Sequence, residues 1–152
     1  MTDQEKKLEL FINGIGLRHF KGAELTPYWS RTRGTVMNAI PPQDLWANII
    51  DTLLVADEIR ERLRDKVTIT SSYRSPAYNN AVGGERMSYH QVFMALDLQS
   101  PAGAKKLWEV AKSVRGTRIN RPGGRSWFIW RGGIGKYPTF VHIDTRGRDA
   151  NW

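Results

Sequence analysis

Two of the chain's three histidines lie in short segments that also carry an aspartate, and the chain has no cysteine. The first segment, Ser88-Tyr89-His90-Gln91-Val92-Phe93-Met94-Ala95-Leu96-Asp97, sets an imidazole and a carboxylate seven residues apart. The second is His142-Ile143-Asp144. Zinc takes nitrogen and oxygen ligands, and catalytic zinc sites keep one position open. His90, Asp97 and His142 would make a His2Asp set with that open position.

The flanking residues strengthen the reading. Met94 to Leu98 is an apolar run broken only by Asp97, and it reads as a buried strand. A buried carboxylate is costly unless it is paired or binds a metal. Around His142, polar and apolar residues alternate, so His142 and Asp144 share one strand face and Val141 and Ile143 take the other. If the two strands are neighbours, their polar faces meet. Asp144 is the one acid on its strand and is the expected proton acceptor, although the roles of His142 and Asp144 could be exchanged. Arg74 carries a fixed fork of donors that suits a substrate carboxylate or carbonyl, or that ties down its own loop. Ser88 and Tyr137 are expected to line the substrate cleft. His19 is read as a satisfied or exposed histidine without chemistry.

Several blocks together resemble a known family. They are Thr70-Ser71-Ser72-Tyr73-Arg74-Ser75-Pro76, Asn79 to Gly84, Ser88 to Asp97, Gly132 to Pro138, and Phe140 to Gly147. In this order they look like the zinc D-Ala-D-Ala carboxypeptidases and murein endopeptidases, which share a fold with VanX-type dipeptidases and with hedgehog and lysostaphin-type peptidases. The resemblance covers roughly residues 67 to 152, and Lys21 to Trp29 resembles the leader that precedes the catalytic part. It implies zinc as cofactor, with His90, Asp97 and His142 as ligands and Arg74 facing the substrate. It also implies a peptidoglycan stem peptide or cross-bridge as substrate. The sequence departs from the family pattern in three places. Phe93 and Ser72 stand where glycine is usual, and Thr139, Phe140 and Val141 offer no base ahead of the third ligand. Phe93 is expected to crowd the turn beside the metal and narrow the cleft.

The elements that must hold these residues follow from periodicity. Residues 3–12 form a short helix ended by Gly14 and Gly16. From Asp44 to Arg64, apolar residues at Leu45, Ile49, Leu53, Ala56, Ile59 and Leu63 define a scaffold helix, with Asp57 to Arg62 on its solvated side. Val67 to Ser71 is a strand, and Tyr73 to Ser88 is a loop. Ser100-Pro101 is expected to open the next helix as N-cap and first residue, and Gly116 to end it. A basic loop covers Arg118 to Arg125, and Trp127 to Trp130 reads as a core strand. Gly132-Gly133-Ile134-Gly135 is not a phosphate loop, because no Lys-Ser/Thr follows and a strand, not a helix, comes next. Thr139 to Thr145 is the last strand, followed by a basic tail with Trp152. The fold class is therefore α+β, a small, mainly antiparallel sheet carrying the metal and packed against N-terminal and central helices. Residues 1–152 are read as one domain, with 1–66 as helical leader and scaffold and 67–152 as catalytic core.

At 152 residues, 40% hydrophobic and 25% charged, the chain is long enough for a real core. Without cysteine it has neither disulfides nor thiolate metal sites. No secretory signal and no membrane-length apolar run is visible. Localisation stays open between a cytoplasmic enzyme and a phage-type lysin released by a partner or exposed on a virion. A net charge of +8 favours anionic partners such as a cell-wall polymer. The chain is read as a monomer that acts on peptidoglycan and does not bind nucleic acid. Two alternatives accompany the peptidase. One is a non-catalytic wall-binding module whose cleft Phe93 blocks. The other is a nucleic-acid binder using the arginines around Trp127 and Trp130.

Overall fold

The computed structural model describes residues 1–152 and has an α+β architecture of helices and small sheets. Helix α1 (Asp3–Asn13) opens with a capping box between Thr2 and Glu5 and buries Leu8 and Ile12. The leader then runs through two 3-10 turns, where Phe20, Leu25, Tyr28 and Trp29 are buried. A short hairpin, β1 (Thr32–Arg33) and β2 (Val36–Met37), follows. The leader thus reaches the later part of the chain. The Ser71 hydroxyl donates to the Tyr28 hydroxyl at 2.8 Å, and buried Asn38 donates to the Tyr28 and Tyr73 carbonyls.

The scaffold helix begins as a 3-10 turn over Gln43–Asn48 and becomes α2 (Ile49–Leu63). Arg62 and Glu58 form the i,i+4 pair that their spacing predicts, at 3.0 Å. Asp57 differs from expectation: it is buried, not solvated. Its carboxylate accepts from the backbone N–H groups of Arg18 and His19 and from Arg18 Nε, so this acid anchors the leader to α2. His19 itself meets Glu61 at 2.6 Å on the outside of the same junction.

The main sheet has the order β3-β4-β8-β7-β9. Its strands are β3 (Thr68–Ser71), β4 (Ala95–Gln99), β7 (Gly133–Lys136), β8 (Val141–Asp144) and β9 (Ala150–Asn151). All pairings are antiparallel except that of β7 with β9, a strand the sequence did not reveal. Leu96, Leu98, Ile134, Val141 and Ile143 join the core formed with α2 and with α4 (Ala104–Val114). The other sheet face carries a row across three strands, in which Asp97 pairs with Ser71 on one side and with His142 on the other. Gly135 is the next partner of His142.

Two Ser-Pro pairs behave opposite to expectation. Ser75-Pro76 opens a short helix, α3 (Pro76–Ala81), inside the segment read as a loop, and Ser75 Oγ accepts from the Tyr78 N–H. Ser100-Pro101 instead makes a turn, in which Ser100 Oγ accepts from the Ala102 N–H, and α4 starts only after Gly103. A serine hydroxyl serves a local turn as readily as a helix N-terminus, so the pair alone cannot decide.

The region after α4 is also corrected. Arg118–Asn120 is a strand, β5, paired with β6 (Trp127–Ile129) in a separate two-stranded sheet. Trp127 and Ile129 are exposed, whereas Ile119 is buried in the core and Phe128 packs against it, so only one face of this hairpin is core. Trp130 is buried and donates from Nε1 to the Asp144 carbonyl. Arg118 and Arg121 lie over the rings of Trp127 and Phe128, and Arg121 also pairs with Asp51.

Phe93 occupies the left-handed region at φ 55°, which explains why glycine suits this position. Its ring does not narrow the cleft as expected. It is fully buried in the core, edge-on to Tyr73 with ring centroids 6.2 Å apart. Left-handed strain costs about 1–2 kcal/mol, whereas deleting a buried phenylalanine costs about 3–5 kcal/mol. Phe93→Gly should therefore destabilise the protein by roughly 2–3 kcal/mol in urea denaturation, with metal content and turnover per folded molecule unchanged. A rise in turnover would show that the ring does obstruct substrate.

Candidate metal centre

His90 lies in a 3-10 turn over Tyr89–Val92 that Ser88 caps, its Oγ accepting from the His90 N–H at 3.2 Å. The turn is tied to the neighbouring loop by the Arg74 N–H, which donates to the His90 carbonyl. The His90 ring donates from Nδ1 to the Ser72 carbonyl at 2.6 Å, because a carbonyl can only accept. That bond fixes the tautomer and leaves the Nε2 lone pair facing Asp97 Oδ1 at 3.2 Å.

His142 approaches the same oxygen from β8. Its Nδ1 is 3.4 Å from Asp97 Oδ1, and its Nε2 donates to Asp144 Oδ2 at 2.8 Å. Asp144 is fully buried, and four further contacts engage it. They come from the Gly133 N–H, the Arg146 N–H, and the Arg146 guanidinium through Nε and Nη2. Asp97 keeps its second oxygen for Arg74 Nη2 at 3.1 Å, while Arg74 Nε reaches Ser71 and Nη1 reaches Asn79.

The three side chains bring their ligand atoms within 4.8 Å of one another. Each ring has already committed one nitrogen as a donor to an oxygen outside the set. In the neutral rings the nitrogens left over carry lone pairs, and both face the same carboxylate oxygen of Asp97. A proton on His142 Nδ1 or a cation held between the three groups relieves that contact. The donor set, two imidazole nitrogens and one carboxylate, is one that zinc accepts, and each histidine has the outer hydrogen bond that orients a metal ligand. The residues present therefore fit a zinc ion.

The ionisation of the group is set by burial and by these contacts. Burial works against the Asp97 carboxylate, yet His90 and His142 outweigh it and hold its pKa well below the usual range. Burial also opposes Asp144, and His142, Arg146 and the Gly133 N–H hold it down likewise. Burial pushes the His90 pKa down, so its ring stays neutral, the form that binds metal. For His142, burial is outweighed by hydrogen bonds from its ring to Asp144 and Asp97, which raise its pKa.

These residues floor a cleft of about 790 Å³. Arg74, Ser88, His90, Asp97, Tyr137 and His142 all line it, so six of the seven residues singled out from the sequence are brought together. Asp144 is absent from the cleft wall and lies behind His142. Sequence reasoning missed Arg146, Glu85, Phe140 and Trp152, which also border the cleft. Trp152 was visible only as an aromatic in a basic tail, and Glu85 as a charge in a loop.

The fold and site define a small α+β domain with a His-Asp-His group at the floor of an open cleft, the arrangement of a metallohydrolase. The family model for Peptidase M15 matches residues 18–144, and the chain belongs to that family of zinc peptidases. Membership supports a zinc-peptidase type of function. No curated protein and no solved structure matches the chain.

If the group holds zinc in the folded state only, zinc at one hundred times its dissociation constant should stabilise metal-free protein by about 2.7 kcal/mol. Thermal unfolding with and without zinc checks this. His90→Ala should abolish the shift, and a shift that survives it would place the metal elsewhere.

Proposed function

We propose that the protein is a zinc-dependent peptidase that hydrolyses amide bonds in peptidoglycan stem peptides or cross-bridges, a cell-wall lytic enzyme of the endolysin kind. The observation that carries this reading is the convergence of His90, Asp97 and His142 on one point of the cleft floor, with both outward ring nitrogens already spoken for. The cleft wall adds Arg74, Arg86 and Arg146, and the whole chain carries +8. A substrate rich in carboxylates suits both features.

When bound, zinc supplies Lewis-acid polarisation of the scissile carbonyl and activates water near neutral pH. Arg74 presents its guanidinium beside Asp97, where it can hold a substrate carbonyl or carboxylate oxygen while keeping Asp97 ionised. Asp144 is better suited to positioning than to proton transfer. Its oxygens are occupied by Arg146, Gly133 and His142, and it holds the His142 ring with Nδ1 turned to the site. Besides Asp97, the carboxylate lining the cleft is Glu85, and no side-chain group engages it. Proton acceptance from the attacking water is therefore assigned to Glu85. Ser88 serves first as the cap that shapes the His90 turn.

Purified protein should release new muropeptides from peptidoglycan, detected by mass spectrometry, and a chelator should stop it until zinc is restored. Metal binding without any cleavage would favour the wall-binding module instead.

Asp144→Ala should weaken zinc affinity roughly 10–100-fold, the usual effect of losing a ligand's outer partner. Glu85→Gln should keep zinc and lose roughly 10²–10⁴-fold in turnover. Unchanged zinc affinity in Asp144→Ala together with that loss of turnover, and full activity in Glu85→Gln, would return the proton-acceptor role to Asp144.

A further inference from the structure

The net charge of +8 is not spread evenly along the chain. Residues 110–143 hold seven of the 23 Lys and Arg residues and none of the 15 Asp and Glu residues, so nearly all of the excess lies in this one stretch. At its centre is the β5-β6 hairpin. The inner face of the hairpin is packed, with Ile119 buried and Phe128 against the core. It is also braced at its turn. Arg121 meets Asp51 of α2 at 3.1 Å, and Pro122 is seated 3.1 Å from where a Cβ on Gly16 would be. The outer face has no such partner. The register sets Asn120 opposite Trp127 and Arg118 opposite Ile129 on that face. Trp127 is 51% exposed and Ile129 is 42% exposed. The Arg118 guanidinium lies over the indole at 4.7 Å, and Arg125 stands exposed in the connecting turn. Arg121 is matched by Asp51, and Arg115 and Arg131 by Asp149, whereas Arg118 and Arg125 form no ion pair. None of the hairpin residues lines the cleft.

We propose that the outer face of the β5-β6 hairpin docks on an anionic lipid surface. An interfacial anchor has three parts: an indole at the level of the headgroups, an aliphatic side chain beside it, and cationic groups that reach the phosphates. Trp127, Ile129 and the pair Arg118 and Arg125 supply all three from one braced hairpin. The excess positive charge of the surrounding stretch draws the hairpin to the same surface. Two apolar side chains and two free arginines make a shallow, reversible contact, not an insertion. A nucleic acid fits this face less well. Strand binders stack successive bases on several aromatic side chains along a groove. Here the face offers one indole, Arg118 covers one side of it, and the aliphatic Ile129 beside it has nothing to offer a base.

The test is co-sedimentation of the intact protein, at physiological salt, with vesicles of phosphatidylcholine alone or with about one-third phosphatidylglycerol. Wild type should bind the anionic vesicles about tenfold more tightly, and added salt should weaken that binding. Arg118→Gln and Arg125→Gln should each cost about fivefold in affinity. Trp127→Ser combined with Ile129→Ser should cost about tenfold. All four side chains are exposed, so thermal unfolding of these variants should stay close to that of wild type. The charge-matched control is Lys105→Gln with Lys106→Gln, two exposed residues in the first turn of α4, the end away from the hairpin. It should lose no more than about twofold. A loss in this control equal to that of the paired arginine variants would overturn the proposal, because net charge alone would then account for binding. Vesicle binding that the Trp127 and Ile129 substitutions leave unchanged would overturn it too. So would an oligonucleotide that the same substitutions release, with no uptake by vesicles. Vesicle binding needs neither zinc nor turnover, so its outcome is independent of the peptidase reading.

Discussion

The buried pairing of Asp97 with His142 across β4 and β8 is the constraint on which the rest depends. Two groups that prefer water are placed opposite one another in the middle of a sheet whose reverse face is core. Burial of that kind is tolerated only when every lone pair and proton has a partner. The surrounding chain supplies those partners. Ser72 and Asp144 take the outward nitrogens of the two rings, and Arg74 takes the free oxygen of Asp97. The remaining ligand atoms face one point, which a proton on His142 or a bound cation completes.

The same demand explains distant features. Arg146 and the Gly133 N–H hold Asp144 ionised, and Asp144 accepts from His142 Nε2. Arg74 ties Asp97 to α3 through Asn79, so the helix hidden in the loop also steadies the site. Tyr28, from the leader, supports Ser71 next to Asp97 in the strand register. The leader is therefore part of the site's scaffold, which agrees with a family match that begins at residue 18.

Rigidity and openness divide between the two sides of the sheet. On the core side, apolar strand residues pack against α2 and α4, leaving the strands little freedom. On the other side, glycines at 133 and 135 remove side chains from β7 and let an indole and a carboxylate approach the backbone. Phe93 shows how the two sides can conflict. Its backbone takes a conformation that the turn beside His90 requires, and its ring goes to the core, where burial outweighs the strain.

The His90, Asp97 and His142 group was legible in the sequence because its signals are local. Seven residues separate His90 from Asp97, and strand alternation puts His142 and Asp144 on one face. The α+β class and the scaffold helix followed from periodicity in the same way. What the sequence could not decide were choices that depend on which elements meet. A Ser-Pro pair capped a helix at one site and made a turn at the other. Asp57 looked solvated until the leader's backbone arrived to satisfy it. Asp144 lay on the correct face but behind its histidine, because Gly133 and Arg146 come from outside its strand to claim it. Trp152 entered the cleft only because β9 pairs parallel with β7, a contact between distant segments that no local pattern encodes. Sequence alone determined which groups could bind a metal, since spacing and alternation act within one strand or turn. Tertiary structure decided what each of the others does, since a polar side chain's role is set by the partners that reach it.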